Sequence, residues 1–475
     1  MIDTAALKNN ILELAFKGEL VSKVEGDGCI SDLIDTIPNP SNKRLGLLKK
    51  GSDTVFPYDL PDNWKIVPLG RITSYGDTPK KTIASDVSSD TWILELEDIE
   101  SGGRLLKKTR VDSRQAIGEK TTFNCGQVLY SKLRPYLKKV LQADEDGICT
   151  PELIAFDVYA GINPRYVMYY LICNFVDKVI NQRSYGVKMP RVDAQFMVNL
   201  PVPLPTIAVQ NKIVDIIDEA FSAVEKINEY QAQYSSDLEV LKSKIIDAGI
   251  QGKLTEQIPE DGTAEELLEQ IEIQKNTILK NRKGRVDKKI KAIDGDFPYE
   301  IPSHWKWIRF GNIGLFKKGP FGSALTKSMF VPKGENTVKV YEQQHAINKD
   351  NTLGTYYITR EYFDDSMSGF EVLPGDIIVS CAGTIGETYI MPDDIEQGII
   401  NQALMRVTLA EGVNRKFFQY YFDANLKKSA QNESNGSAIK NIPPFDVMKN
   451  WYFPIPPLEE QERIVEKIEN ILTLL

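Results

Sequence analysis

The sequence predicts an α+β protein in which two domains of mixed α/β structure are joined by a long antiparallel coiled coil and related by a pseudo-twofold internal repeat. Three observations predict this fold. Three segments occur twice along the chain, a long uninterrupted helical segment lies between the copies, and short β-rich runs fill the intervals. The 475 residues suffice for roughly two to four domains that each bury a core.

The internal repeat consists of three pairs of segments. FPYDLPDNWKIVPLG, from Phe56, aligns without gaps with FPYEIPSHWKWIRFG, from Phe297, with seven identities in fifteen positions. LKNNILELAFKGEL, from Leu7, matches LKSKIIDAGIQGKL, from Leu241, and PLPTIAVQNKIVDII returns as PIPPLEEQERIVEKI near the end of the chain. The chain is therefore expected to read helix, linker, domain, helix, linker, domain, helix.

The central segment from Thr206 to Ala248 contains neither glycine nor proline. Pro205 before it and Gly249 after it are typical of the two ends of a helix. At 1.5 Å per residue, such a helix is on the order of 60 Å long. Its apolar stripe follows the 4-3 spacing of a coiled coil, with one polar member, Gln231. The stripe contains Ile213, Ile217, Ala220, Val224, Ile227, Gln231, Tyr234, Leu238, Leu241, Ile245 and Ala248.

Such a stripe needs a partner, because a lone amphipathic helix leaves its apolar side in water. The two ends of the chain repeat its phase: the C-terminal segment copies the first part of the stripe, and the N-terminal segment copies the last part. We expect the two termini to form one split helix antiparallel to the central one. The alternative is a set of core helices inside two unrelated domains. The copied positions are Ile464, Ile468, Ile471 and Leu475, and Leu7, Ile11 and Leu14.

The intervals between the repeats contain β-rich runs such as TWILELEDI, GQVLYSKL, IAFDVYA, DIIVSCAG and ALMRVTLA, separated by turn residues. Each interval ends in an aromatic helical run, RYVMYYLICNFVDKVI or RKFFQYYFDANLKKSA. The predicted organisation is an N-terminal helix and linker (1–55), a first domain (56–203), a central helix (204–255), a helical linker (256–296), a second domain (297–453) and a C-terminal helix (454–475).

The composition excludes several classes of protein. Hydrophobic residues at 42% and charged residues at 26% are typical of a folded globular chain, and no apolar run reaches the roughly 18 residues of a membrane-spanning helix. The N-terminal segment reads as an amphipathic helix and not as a signal peptide, so we expect a cytoplasmic protein without a membrane partner. The five cysteines form no CxxC pair and are expected to be free, buried thiols.

Residues for a metal or catalytic centre are scarce. The chain has two histidines, His304 and His345, which we expect to be ordinary surface or loop residues. This leaves almost no material for a histidine-based metal site or a general-base triad. We therefore predict neither a metal nor a catalytic residue.

The net charge of −9 argues at first against nucleic acid as a partner. The charge is unevenly distributed, however. Residues 65–200 hold 19 basic against 16 acidic side chains, and residues 306–451 hold 16 of each. The acidity therefore lies mostly outside the two predicted domains, whose surfaces are free to carry positive patches.

The repeated blocks, together with YSKLRPYLKKV from Tyr130 and GDIIVSCAGTIGE from Gly375, resemble the conserved regions of type I restriction-modification specificity subunits. The resemblance covers nearly the whole chain and rests on the order and duplication of the motifs. The chain departs from the family at Ile66, where the second copy has Trp307, and in PTIAVQ, where Thr206 and Val209 replace the usual PLxEQ pattern. We expect these departures to alter local contacts only.

The resemblance implies a function. In that family, two target-recognition domains each bind one half of a split, asymmetric site in double-stranded DNA, and the helices act as a ruler between the half-sites. Two modification methyltransferase subunits bind the specificity subunit, and restriction-translocase subunits join them. The chain is thus expected to be a non-catalytic subunit without a cofactor of its own, with S-adenosylmethionine bound by the methyltransferase subunits.

DNA contacts require Lys and Arg for phosphates and planar or amide side chains for base edges. In the first domain the candidates are Lys132, Arg134, Tyr136, Lys138 and Lys139 in YSKLRPYLKKV, Arg183, Lys188 and Arg191 around SYGVKMPR, and Lys107, Lys108, Arg110 and Arg114. In the second domain they are Lys317, Lys318 and Lys327 around KKGPFGSALTK, and Lys440 and Asn441 in SNGSAIKNIPP, which takes the place of SYGVKMPRV. The alternative for each cluster is a solvated face or a simple turn.

Two other functions remain open at this point. The first is an adenine methyltransferase with a built-in recognition domain, because NIPPF at Asn441 is similar to an NPPF-type catalytic loop. Ile442 interrupts that motif, and no glycine-rich cofactor loop is found. The second is a coiled-coil scaffold without DNA affinity. A nuclease or helicase is disfavoured because GxxxxGK[ST] is absent and DEAF, from Asp218, falls inside the helical stripe.

Overall fold

The structure, a computed structural model, describes residues 1–475 except 26, 52, 115, 160, 187–188, 282–289, 428 and 430–441. The chain divides into two compact units, unit 1 (Met1–Gln233) and unit 2 (Tyr234–Leu475). Both units mix helices with short strands, as the predicted α+β class requires. Among the described residues, no helix combines the length and the apolar character needed to cross a bilayer.

Unit 1 contains three small sheets. The strand orders are β2-β5-β8-β3-β4, β7-β6-β9 and β1-β10, and all described pairings are antiparallel except β3 with β8. The strands are β1 (Lys65–Pro68), β2 (Lys81–Ile83), β3 (Trp92–Leu94), β4 (Thr109–Arg110), β5 (Glu119–Phe123), β6 (Val128–Ser131), β7 (Val140–Gln142), β8 (Gly147–Cys149), β9 (Leu153–Phe156) and β10 (Pro201–Leu204).

The helices of unit 1 pack mainly around one large core. They are α1 (Thr4–Lys17), α2 (Ile30–Thr36), α3 (Asn42–Leu48), α4 (Leu69–Ile72), α5 (Val111–Arg114), α6 (Pro164–Ile172), α7 (Asn174–Arg183), α8 (Ala194–Val198) and the long α9 (Ile207–Ile250), whose first part belongs to this unit. The aromatic run predicted as one helix is two, because the chain is extended at Cys173 between α6 and α7.

Unit 2 repeats this plan with different sheets, ordered β12-β19-β16-β17, β14-β13-β18-β15 and β11-β20. Its strands are β11 (Lys306–Arg309), β12 (Gly314–Lys318), β13 (Thr337–Tyr341), β14 (Tyr357–Thr359), β15 (Glu371–Val372), β16 (Ile377–Ser380), β17 (Thr388–Ile390), β18 (Gly398–Ile400), β19 (Leu404–Leu409) and β20 (Tyr452–Ile455). Its further helices are α10 (Ala264–Asn281), α11 (Gln343–Asn348), α12 (Arg360–Tyr362), α13 (Arg415–Tyr421), α14 (Phe445–Met448) and α15 (Leu458–Thr473).

The repeated segments frame the sheets identically in the two units. In unit 1 the opening strand β1 pairs antiparallel with the closing strand β10, and in unit 2 β11 pairs antiparallel with β20. The polypeptide between the two strands of each pair therefore begins and ends at the same two-stranded sheet. A fixed frame of this kind allows the intervening sequence to vary without disturbing the flanking helices.

A buried glutamine holds the closing segment in each unit. Gln210 Nε2 donates to Pro205 O at 2.8 Å, and its Oε1 accepts from the backbone N–H of Asn163 at 2.9 Å. Gln461 repeats both bonds, to Pro456 O at 3.0 Å and from Asn414 N–H at 2.8 Å. The repeat in sequence is thus also a repeat in hydrogen bonding.

Within unit 1, α1 lies antiparallel to the first part of α9. Thr4 Oγ1 donates to Asn228 Oδ1 at 2.6 Å, and Lys8, further along α1, forms an ion pair with Glu225, earlier on α9. The order of contacts along the two helices is therefore opposite, which is consistent with the antiparallel arrangement expected for the N-terminal helix. Within unit 2, the end of α9 lies against α15, because a Cβ atom on Gly249 would come within 2.6 Å of Ile468 Cδ1.

The predicted end of the central helix is wrong. Gly249 is a buried residue inside α9, and the helix continues to Ile250. The residue that ends it is Gly252, which has a left-handed φ of 69°. Gly18, its counterpart in the repeat, ends α1 with a φ of 76°. Gly249 instead serves close helix packing, which the sequence alone cannot distinguish from a helix end.

Two expectations about single residue types are also wrong. Cys29 and Cys125 are exposed, since they lie in a linker and in a turn, and only Cys149, Cys173 and Cys381 are buried. His345 is fully buried in α11, where Nε2 lies 2.7 Å from Leu353 O. Its imidazole therefore holds a loop in place.

Candidate nucleic-acid interface

The connection between β6 and β7 carries the first group of predicted DNA contacts. Arg134 and Lys138 both have a left-handed φ of 49°. A residue with a side chain adopts this conformation at a cost of about 1–2 kcal/mol, so neighbouring structure must hold it. Part of that support is a hydrogen bond of 2.7 Å from Arg134 N–H to Pro190 O. The backbone therefore fixes the direction in which these side chains leave the surface.

Within this connection, some side chains are free to contact a ligand, and others already form ion pairs or hydrogen bonds within the protein. Arg134 is exposed and forms no ion pair with the described residues, and Tyr136 is 46% exposed. Lys138 lies 3.4 Å from Asp177 Oδ2, and Lys139 Nζ donates to Leu96 O at 2.6 Å. Lys132 has a distant carboxylate neighbour, Glu152, at 3.8 Å.

The second group lies on the neighbouring loop. Arg191 forms isolated β-bridges with Leu133 and Tyr185, which place it beside the β6–β7 connection. Its Nη2 lies 2.8 Å from Glu152 Oε1, and the hydrogen bond lowers the pKa of that carboxyl. Arg183 is exposed, with Asp53 3.8 Å away, and Lys188 lies outside the described residues. The structure thus brings Lys132 and Arg191 together around Glu152, while Arg134 is tied to the neighbouring loop through its backbone.

The third group is largely neutralised. Lys108 Nζ lies 2.9 Å from Asp144 Oδ1 and 2.8 Å from Glu145 Oε2, and Arg110 also forms an ion pair with Glu145. Hydrogen bonds from Arg110 and Lys108 lower the pKa of Glu145 to about 2, so this acid stays charged at neutral pH. Arg114 is held by Asp98 at 2.6 Å, which leaves Lys107 as the exposed cation of the group without a described ion pair.

A groove of about 440 Å³ in unit 1 contains further polar groups that the sequence analysis missed. The missed residues are Lys80 and Asn124, which line the groove together with the predicted Lys132. Lys80 is exposed and without a described ion pair, and Asn124 presents an exposed carboxamide, a group suited to adenine. The sequence contains a signal for Lys80. If the ungapped alignment of the two domain openings is continued past Gly70, Pro79 and Lys80 align with Pro320 and Phe321, which lie within the segment predicted to contact DNA in the second domain.

In unit 2, the predicted lysines surround the turn after β12. Lys317, Lys318 and Lys327 are exposed and form no ion pair with the described residues, although Lys317 Nζ lies 4.7 Å from the centre of the Phe370 ring. Gly319 is required by space and not by a left-handed φ: a Cβ atom there would lie 1.8 Å from Asn401 O. Lys440 and Asn441 lie outside the described residues.

Potential metal ligands do not cluster in the described part of the chain, where no group of three or more of them occurs. Burial raises the pKa of the Cys149, Cys173 and Cys381 thiols to about 12, so none is a ready nucleophile.

The double substitution Lys132→Ala with Arg134→Ala is expected to weaken DNA binding by the assembled complex. The slope of log K against log salt should fall by about 0.9 for each phosphate that the variant no longer neutralises. Folding stability should change little, since neither side chain is buried. Fluorescence anisotropy titrations at several salt concentrations measure both the affinity and the slope.

The matched control for this prediction is Lys108→Ala with Arg110→Ala, which removes the same charge from side chains already paired with acids. It should change the salt slope less. If the Lys132 and Arg134 variant keeps the wild-type affinity and slope, the β6–β7 connection does not contact DNA.

Comparisons with known proteins give one consistent family. The family model described as the type I restriction modification DNA specificity domain matches residues 322–474. The chain is 22% identical to the type I restriction enzyme EcoAI specificity subunit of Escherichia coli, over 98% of this chain and 88% of that protein. It is 20% identical to the EcoEI specificity subunit of the same species, again over 98% of this chain and 88% of that protein.

Two solved structures have a similar fold. A chain from a structure concerned with complex assembly and conformational transition of the type I R-M system matches with a TM-score of 0.63 and 17% identity, over 88% of this chain and 92% of that one. The crystal structure of the HsdS subunit from Thermoanaerobacter tengcongensis matches with a TM-score of 0.51 and 18% identity, over 88% and 91%. At these identities the likeness concerns the fold.

Proposed function

The chain belongs to the family of type I restriction-modification specificity subunits, and from this premise we propose that it reads a bipartite, asymmetric DNA target with two recognition domains. One domain would be formed by residues 56–203 and the other by residues 297–453. The observation that carries the proposal is the duplicated frame: the two units have different sheets, and each is closed by the same kind of strand pair and the same buried glutamine. Two different domains, each held by the same kind of strand pair, are suited to bind two half-sites of different sequence.

The DNA-facing residues of the first domain are proposed from their charge and exposure. Lys132, Arg134 and Arg191 would contact phosphates beside the 440 Å³ groove, and Asn124 and Lys80 would face bases or phosphates from within it. In the second domain, the lysines around the turn after β12 take this role. Lys108 and Arg110 are weaker candidates, because acids already neutralise them.

We further propose that α9 and the two terminal helices form the coiled-coil ruler between the half-sites. The antiparallel contacts of α1 with α9 support this role, and so do the contacts of α15 with the end of α9. Two modification methyltransferase subunits would bind the chain and supply S-adenosylmethionine, and restriction-translocase subunits would join them. The complex would work in the cytoplasm, where its DNA substrate lies.

The absence of catalysis by this chain is also part of the proposal. The raised pKa of each buried thiol supports it, and so does the interruption of the NPPF-like motif by Ile442. The competing function is a methyltransferase with its own recognition domain. That function requires S-adenosylmethionine to bind this chain, which equilibrium dialysis with the labelled cofactor can measure.

The purified chain alone is expected to transfer no methyl group to DNA, and sequence-specific methylation should appear when the modification subunit is added. Incorporation of labelled methyl groups, followed by sequencing of the methylated positions, measures both results. The modification subunit alone serves as the control. Methyl transfer by the chain alone would refute its assignment as a recognition subunit.

A further inference from the structure

The most exposed aromatic side chain among the described residues is Phe321, at 89%. It lies in the turn that follows β12, within the segment KKGPFGSALTK. Transfer of a phenylalanine ring out of water lowers the free energy. A ring held at this exposure therefore favours binding of a partner that covers it.

The turn holds Phe321 outward by fixed contacts. Gly319 N–H donates to Leu404 O at 2.9 Å, and the Gly319 backbone lies so close to Asn401 O that a Cβ atom would clash at 1.8 Å. On the other side, Ala324 N–H donates to Phe321 O at 2.8 Å, and Leu325 is buried. Both ends of the turn are therefore anchored to the domain, and the ring is presented before any ligand arrives.

The surroundings of the ring define the chemistry of the partner. Lys318 and Lys327 flank it, are exposed and have no ion pair within the described residues. The hydroxyl groups of Ser323, in the same segment, and of Ser328, directly after it, add hydrogen-bonding capacity. The partner must therefore combine an anionic, hydrogen-bonding surface with a flat apolar one. DNA has both, in its phosphates and in the base planes that become accessible where a base step is partly unstacked.

We propose that Phe321 is a wedge that packs against or between base planes in the half-site read by the second domain, while Lys318 and Lys327 hold the adjacent phosphates. This inference rests on the proposed function, since it names how one domain contacts its DNA. Apolar side chains inserted at a base step partly unstack it and give sequence preference through the deformability of that step.

In the first domain, the position aligned in sequence with Phe321 is Lys80, next to Pro79. A lysine at that place can hold a phosphate but cannot replace a base plane. The two domains would then contact their half-sites differently at these aligned positions. Removal of the wedge should disturb the second half-site only.

The test uses the assembled complex with its modification subunits and the DNA target identified by methylation sequencing, with 2-aminopurine placed along each half-site in turn. Wild-type complex should raise the 2-aminopurine fluorescence at one step of the second half-site. Phe321→Ala should abolish that rise and weaken binding on the order of tenfold, with the salt slope unchanged. Phe321→Trp should retain both properties.

Two control variants separate the wedge from its surroundings. Lys318→Ala should lower the salt slope by about 0.9 and keep the fluorescence rise, because it removes a phosphate contact only. Ile273→Ala, which removes a 68% exposed side chain on α10, should change neither quantity.

Three results would overturn the inference. Unchanged affinity and fluorescence in Phe321→Ala would show that the ring does not reach the bases. Weaker assembly with the modification subunits, without a change in DNA binding, would identify a protein partner for Phe321 instead. Absence of specific binding by the wild-type complex would refute the proposed function itself, and this result differs from the other two because it does not depend on Phe321.

Discussion

Seven residues inserted between Gln233 and Tyr234 are expected to lengthen the spacer of the DNA target by about three base pairs while both half-sites keep their sequence. A heptad preserves the 4-3 phase of the apolar stripe and lengthens α9 by about 10 Å. B-DNA rises about 3.4 Å per base pair, which gives the expected change. The insertion lies beyond Gln231, whose side chain accepts from Ile2 N–H, so the contacts of α1 with α9 are kept.

The lengthened target should also be bound more weakly than the wild-type target is by the wild-type complex. Three base pairs turn the second half-site by about 100° around the DNA axis, whereas a heptad returns the helix nearly to its starting orientation. Sequencing of methylated sites from cells that express each complex measures the spacer directly. The control inserts seven residues after Gly51, in an exposed connection outside α9, and should leave the spacer unchanged. New half-site bases with the old spacer would contradict the ruler.

Replacing Gly252 with alanine is expected to lower the free energy of unfolding by about 3 kcal/mol. The left-handed φ of 69° costs a side chain about 1–2 kcal/mol, and the added Cβ atom would lie 2.4 Å from Pro302 Cγ. A proline ring cannot rotate away, so the end of α9 or the opening segment of the second domain must shift. Urea unfolding followed by tryptophan fluorescence measures the decrease.

Two further glycines calibrate this prediction. Gly18→Ala should be destabilised to a similar extent, because the same geometry recurs with Pro61 Cδ at 2.6 Å and a φ of 76°. Gly51→Ala should cost only about 1 kcal/mol, since its φ is 65° but nothing lies within 4 Å of the added atom. If Gly252→Ala is destabilised no more than Gly51→Ala, the proline moves aside and its proximity is not a constraint.

The ion pairs of the predicted DNA contacts show why a sequence cannot reveal which cationic side chains are free to bind phosphate and which are neutralised by acids. Lys108 and Arg110 form as basic a cluster as Lys132 and Arg134 do. Strands β4 and β8 both pair with β3, and this sheet order brings Asp144 close to Lys108, although 36 positions separate them in the chain. Charge neutralisation depends on distance in space, and the sheet order sets that distance.

The order of the elements could be predicted from the amino-acid sequence: two mixed domains, three repeated segments and one long helix between them. These features follow from local periodicity and from the positions of glycine and proline, which act over a few residues. The tertiary structure alone decided that Gly249 packs inside α9 while Gly252 ends it, and that His345 is buried. It also decided that Phe321 faces solvent, because burial and exposure depend on which distant segments lie against a residue, and no local pattern records this.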